Sequence, residues 1–183
     1  MQIELNYGRS SIPLNVDDSW NPEVIRKPLM PYEKNPKLAI SKALNNPINA
    51  LPLSEAAKGR KSVCILICDI TRPVPNHLIL PEILAVLVKS GIPTKNIEIL
   101  IATGLHRPNE GEELKQLVGN EWILNNIKIS NHFAKNEADH AFVGTTTKDT
   151  TVKLDKRFVN ADLKIVTGPV SYTHLTLPTI VDV

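Results

Sequence analysis

Two short stretches hold the side chains that could act on a small anion. One reads Asp69-Ile70-Thr71-Arg72-Pro73-Val74-Pro75-Asn76-His77, the other Ala102-Thr103-Gly104-Leu105-His106-Arg107-Pro108. An arginine grips a carboxylate or phosphate through parallel N–H donors, which makes Arg72 and Arg107 candidate anion holders. A histidine changes charge near neutral pH, so His106 is the candidate for taking and returning a proton. Asp69 would orient the imidazole or a guanidinium. Thr71 and Thr103 add hydroxyls, and Gly104 lets the backbone approach a ligand closely. Each residue also has a plainer reading. Asp69 suits a helix cap or turn, the arginines suit solvated surface, and Pro73, Pro75 and Pro108 suit rigid turns. His77, His132 and His140 lack metal-ligand spacing and read as surface or packing residues.

The elements before these stretches raise their standing. Ser62 to Cys68 (SVCILIC) is a continuous apolar run, the pattern of a strand buried on both faces of a parallel sheet. Ile97 to Ala102 (IEILIA) is a second such strand. Ligands of open α/β sheets collect at the carboxyl ends of strands, so if these strands are neighbours both loops meet above one cleft. Helix N-termini following the loops would favour negative charge there. Between the strands, Leu78, Ile79, Ile83, Val86 and Leu87 predict a helix over Pro75 to Lys89, with Pro81 in its first turn and Ser90-Gly91 closing it. A second helix is predicted over Glu110 to Gly119, with Asn109 as N-cap and Glu112 completing a capping box.

Further strands are expected at Ile127 to Ser130, Ala141 to Gly144, Thr151 to Leu154 and Leu163 to Thr167, the last preceded by a helical turn around Arg157 to Ala161. At the start, Met1 to Leu5 and Ile12 to Val16 alternate as a hairpin around Gly8-Arg9-Ser10-Ser11. Residues 17–36 read as irregular cover, and Lys37 to Leu44 as a short helix stopped by Asn45-Asn46-Pro47. The predicted class is α/β: a mostly parallel, Rossmann-like sheet with flanking helices and an N-terminal β-hairpin.

Bulk properties exclude several functions. The 183 residues suffice for one domain with a core, and 21 basic against 19 acidic residues give a charge of +2, which points to no nucleic-acid partner. No apolar run is long enough to span a membrane, and MQIELNYGRS does not read as a signal peptide. Cys64 and Cys68 lie four apart on one strand and face the core, which fits a reducing cytoplasm better than a disulfide framework. No GxGxxG after a strand, P-loop, GxSxG or HExxH occurs.

After Gly168 the pattern breaks. Val170 to Thr179 (VSYTHLTLPT) resembles one translated frame of a transposase sequencing adapter, as in an assembled environmental fragment. Residues 1–168 are therefore read as the domain and 170–183 as a non-native tail, so His174 receives no role.

CDITRPVPNH and ATGLHRPNEGEEL together resemble the two signature segments of the nickel-dependent lactate racemase N-terminal domain, in the same order and at similar spacing. Asn46-Pro47-Ile48 and Ala161-Asp162-Leu163 before LKIVTG resemble that family too. The resemblance implies a two-domain α/β enzyme that racemises a small 2-hydroxy acid. Its nickel-pincer nucleotide accepts the C2 hydride while a histidine takes the hydroxyl proton. By this likeness His106 is one of two acid/base histidines, Arg72 holds the substrate carboxylate and Asp69 supports the site. Thr71, Thr103, Gly104 and Arg107 become candidates for cofactor contact. The family continues past LKIVTG into a histidine-bearing stretch ending Gly-Gly-Arg-Lys, which carries the second histidine and the cofactor lysine. A nickel-binding histidine comes later. This chain reaches its tail first, so no metal ligand is assigned and the chain alone is expected to be inactive. Two other readings stand beside this one: a non-enzymatic anion- or phosphate-binding α/β module, and a phosphosugar enzyme. The oligomeric state is not legible.

Overall fold

The computed structural model describes residues 1–169 apart from Arg9, Lys27 and Met30, so the expectation of a non-native tail lies outside the described residues. The chain divides into two units, Met1–Lys34 and Asn35–Val183. In the first, β1 (Gln2–Tyr7) and β2 (Ser10–Asn15) pair antiparallel, with Ile3 opposite Leu14 and Leu5 opposite Ile12. This pairing puts all four apolar side chains on one face of the hairpin. The strands reach further toward the turn than the alternation implied, and the Ser10 hydroxyl donates to the Tyr7 carbonyl at 3.1 Å to close it.

The second unit is built on four parallel strands: β3 (Val63–Cys68), β4 (Ile97–Ala102), β5 (Lys128–Asn131) and β8 (Leu163–Val166). Their spatial order is β5-β4-β3-β8. The chain steps outward from β3 to β4 to β5, then returns to the opposite side of β3 as β8. Parallel crossovers are right-handed, so reversing direction along the sheet sends the connection over the other face.

One face carries Ile65, Ile67, Ile99 and Ile101, all at zero exposure. Against it pack α1 (Pro36–Asn45), α2 (Leu53–Ala56), α3 (Asn76–Lys89), α4 (Gly111–Val118) and α5 (Glu121–Asn126), through Leu44, Leu53, Leu80, Leu84, Leu87, Leu117 and Ile123. Each such side chain contributes roughly 1.5–3 kcal/mol by burial. The other face carries Cys64, Leu66 and Leu100, covered by Ala161 and Phe158. The second of these belongs to α6 (Lys156–Asn160), which follows the antiparallel pair β6 (His140–Thr145) and β7 (Thr151–Asp155). The α/β class, the parallel sheet and the hairpin are therefore as expected.

Two local readings change and two details are added. Pro81 lies inside α3, not in its first turn, because the helix starts five residues before it at Asn76 with Pro75 at the cap. Its missing N–H falls at a position that would otherwise bond the His77 carbonyl. Asn109 does not cap α4. Glu110 holds the cap position with no side-chain bond, while Asn109 is turned inward. The short helices α2 and α5 were not legible. The latter owes its start to Asn120, whose side chain accepts from the Ile123 N–H at 3.0 Å. The expected strands at 141–144 and 151–154 form as β6 and β7, paired in a hairpin separate from the parallel sheet.

Candidate active-site cleft

Strands β3 and β4 are hydrogen-bonded neighbours with Cys68 level with Ala102, so the two loops begin side by side. The β3 loop also sits where the strand order reverses, between β3 and β8, the place where open α/β sheets leave a crevice. A cleft of about 360 Å³ opens between the β3 and β4 loops, lined by Cys68, Asp69, Arg72, Ala102, Thr103, Gly104, Leu105 and His106. Arg72 and His106 thus face one space.

Each loop is held by its own backbone. The Arg72 N–H donates to the Asp69 carbonyl at 3.1 Å, and the His106 N–H to the Thr103 carbonyl at 2.9 Å. The second turn needs a positive φ, which Gly104 supplies at +59°. A carbon placed where a Cβ would stand on Gly104 meets nothing within 4 Å, so the loop backbone lies open to the cleft.

Asp69 is the buried centre of the site at 4% exposure. Its Oδ1 accepts from the Thr71 hydroxyl at 2.6 Å and the Thr71 N–H at 3.2 Å. Its Oδ2 meets His106 Nδ1 at 2.5 Å. Burial raises the Asp69 carboxyl. The bonds from Thr71 and His106 oppose that rise and outweigh it, leaving the carboxyl below its ordinary value. An ionised carboxylate only accepts, so the neutral imidazole must carry its proton on Nδ1 and leave Nε2 as the base. The His106 side chain is 54% exposed, so the ring is held from behind and open in front.

Arg107 and Thr71 are not among the cleft-lining residues, and Thr103 lines the cleft with its hydroxyl already engaged. The Arg107 guanidinium donates to Glu113 at the start of α4. Thr71 donates its hydroxyl to Asp69, and the Thr103 hydroxyl donates to the His132 carbonyl. Glu112 and Glu113 occupy the first turn of α4, so its helix dipole already faces its own carboxylates. Among the cleft-lining side chains, Arg72 is the cation. Burial first and the Asp69 charge second push the Cys68 thiol up, which argues against a thiolate nucleophile at neutral pH.

Behind the cleft lies a polar layer the sequence did not announce. His132 Nδ1 meets Asp155 Oδ2 at 2.9 Å, and Asp155 also accepts from Arg157 at 2.6 and 2.9 Å. Arg157 in turn donates to the Asn131 carbonyl at 3.1 Å. Burial again raises the Asp155 carboxyl, and the bonds from Arg157 and His132 override it and hold the group far below the carboxylate range. His132 is therefore more than a packing residue. Its partners lie 23 and more positions along the chain, a separation that leaves no local signal.

Among the described residues, no group of His, Cys, Asp and Glu could hold a metal ion. None of their helices is long and apolar enough to cross a membrane.

The fold and cleft define an α/β domain with a cation and an oriented imidazole at the strand ends. The chain belongs to the lactate racemase N-terminal domain family, whose pattern matches residues 7–176. It is 31% identical over 168 residues to the lactate racemase of Thermoanaerobacterium thermosaccharolyticum and 33% identical over the same length to that of Lactiplantibacillus plantarum. Each alignment covers 91% of this chain and 39% of the relative, so the chain spans about two fifths of their length. The solved lactate racemase apoprotein of T. thermosaccharolyticum superposes with a TM-score of 0.72 at 30% identity, over 91% of this chain and 38% of that one. A Thermotoga maritima protein shares the fold at a TM-score of 0.54 and 23% identity, over 73% of this chain and 32% of that one.

Proposed function

We propose that this chain is the N-terminal portion of a 2-hydroxy-acid racemase or epimerase of the lactate type and supplies the carboxylate grip and one proton-transfer group. The observation that carries the reading is the Asp69–His106 pair facing the same cleft as Arg72. Arg72 would hold the substrate carboxylate by two parallel N–H donors. That contact would bring the C2 hydroxyl toward His106, which lines the same cleft. His106 Nε2 would take the hydroxyl proton as C2 becomes planar, and Asp69 would stabilise the imidazolium that forms. The other enantiomer would need that proton returned to oxygen, by His106, and the hydride returned to the opposite face of C2 from an acceptor that these residues do not supply. A positioned base of this kind contributes about 10²–10⁴ in rate.

The likeness implies a nickel-pincer nucleotide, which when bound supplies the hydride acceptor. The described residues fit the substrate half of such a site. They offer an anion grip and a base, but no cluster able to carry the metal. Thr103 already donates its hydroxyl to a carbonyl and Arg107 is paired with Glu113, so their cofactor role rests on Gly104 and the open loop backbone beside it. We propose accordingly that the 183-residue chain binds 2-hydroxy acids but does not racemise them. The free cysteines Cys64 and Cys68 favour a cytoplasmic setting, and the near-neutral charge favours a small-molecule partner over nucleic acid. Residues 170–183 are proposed to be foreign to the domain. Sequencing the gene beyond the codon for Gly168 checks this, and genomic DNA encoding the same peptide would end that idea.

The function is tested by NMR titration of the chain with D- and L-lactate, with inorganic phosphate as competitor. Shifts confined to the loops around Arg72 and His106, lost in Arg72→Ala, are expected. Absence of any shift at millimolar lactate sinks the grip. A stronger response to phosphate favours the anion-binding module instead. Nickel-dependent interconversion of lactate enantiomers by the chain alone would overturn the proposed inactivity.

A further inference from the structure

Asn109 lies one residue past the second loop, is 1% exposed and touches none of the cleft. Its polar atoms are nonetheless fully engaged. The side-chain Oδ1 accepts from the Ile70 N–H at 3.1 Å, and Nδ2 donates to Glu113 Oε2 at 3.3 Å. Its backbone N–H donates to Asn131 Oδ1 at 2.9 Å, and its carbonyl accepts from Asn131 Nδ2 at 3.1 Å. One residue therefore ties the β3 loop, the end of the β4 loop, the end of β5 and the start of α4 together, its side chain reaching Ile70 and Glu113 and its backbone reaching Asn131.

The bond to Ile70 bears on the chemistry. Ile70 follows Asp69 directly, and Asn109 follows the His106 loop. The strands fix where the loops begin, at Cys68 level with Ala102. Beyond that level the Asn109–Ile70 bond is a direct polar cross-link between the two loops, beside the Asp69–His106 contact itself. Glu113 adds to the clamp by accepting from both Asn109 and Arg107, the neighbour of His106. A short amide suits the task, because position 109 must accept on one side and donate to a carboxylate on the other. Asp lacks the donor, Ser is too short, and Gln would push the loops apart.

We infer that Asn109 is a positioning residue: it sets the distance between the two loops and so holds Asp69 against His106 Nδ1, keeping Nε2 free as the base. This rests on the reading of His106 as the proton-transfer group. The test is the tautomer of neutral His106 in the 183-residue chain, read from its ring ¹⁵N shifts, with the amide spectrum reporting the fold. Wild type should hold the proton on Nδ1, and Asp69→Asn should lose that bias. Asn109→Ala should reduce the ratio of Nδ1–H to Nε2–H forms about fivefold, the change one net hydrogen bond produces.

A second pair keeps the question open should Asn109→Ala fail to fold. Asn109→Asp sets two carboxylates face to face and should lose the bias, while adding Glu113→Gln supplies the missing donor and should restore it. An unchanged ratio in a folded Asn109→Ala, or no recovery in the double variant, overturns the positioning role. A ratio that does not move even in Asp69→Asn instead overturns the Asp69–His106 reading beneath it.

Discussion

At the scale of single residues, the cleft depends on the difference between a charge that is merely present and one that is placed. Arg72 and Arg107 look alike in the sequence, each beside a proline in a strand-end loop. Only Arg72 lines the cleft, because Glu113 draws Arg107 toward α4. Arg72→Lys keeps the charge but loses the planar fork, so lactate binding should weaken about tenfold by titration. Arg107→Ala removes an exposed ion pair and should leave that affinity within about twofold. Equal losses in the two variants would show that the grip is a diffuse field and not a fork. Cys64 marks the opposite case: burial first and the nearby acids second push its thiol up to about 11, so it acts as a small apolar core residue.

Among the elements, the helices after the two loops are stopped and seated by different devices. The α4 helix ends at Gly119 with φ +63°. A Cβ there would stand 2.7 Å from His77 Cβ, at the start of α3. Gly119→Ala would combine a left-handed alanine, which costs roughly 1–2 kcal/mol, with a clash against a packed side-chain root. The total should exceed about 2 kcal/mol in chemical denaturation. Gly104→Ala carries a similar φ but meets open space, so its loss should be limited to roughly 1 kcal/mol. The contrast separates conformation from packing, and an equal cost at the two sites would refute the steric argument. In the sheet, Ile99 at zero exposure fills the helix-covered face. Ile99→Ala should cost about 2–5 kcal/mol, read as a lower urea midpoint.

For the whole molecule, two buried carboxylates couple folding to pH. Asp69 and Asp155 are both held below their ordinary value of 3.8, in spite of burial, by the bonds they accept. A depressed folded-state pKa means the unfolded chain binds protons more readily than the native one. The stability these groups give is complete above 3.8 and is lost as pH falls below it toward the folded values. The urea midpoint should therefore hold steady from neutral pH to about 5 and drop steeply under 4. Asp155→Asn should start lower and fall less, since Arg157 and His132 then lose their anionic partner at every pH. A variant with the wild-type acid slope would remove Asp155 from this account. Asp155 matters at this scale because it joins β7 and α6 to the end of β5 through His132 and Arg157.

Parts whose physics is local or periodic were legible from the residues alone. The apolar runs SVCILIC and IEILIA read as doubly covered strands. The 3.6-residue spacing from Leu78 to Leu87 reads as an amphipathic helix. The loops carrying Asp69, Arg72 and His106 were visible as chemistry at strand ends, and the family was legible in the same residues. Pairing across long separations was settled only by the folded core. It set the strand order, which places the β3 loop at the switch point. It turned Asn109 from an expected cap into a buried cross-link. It joined His132 to Asp155. None of these follows from neighbours along the chain, because a hydrogen bond between distant residues leaves no periodicity. Its partner is chosen by the register of a sheet that only the folded core selects.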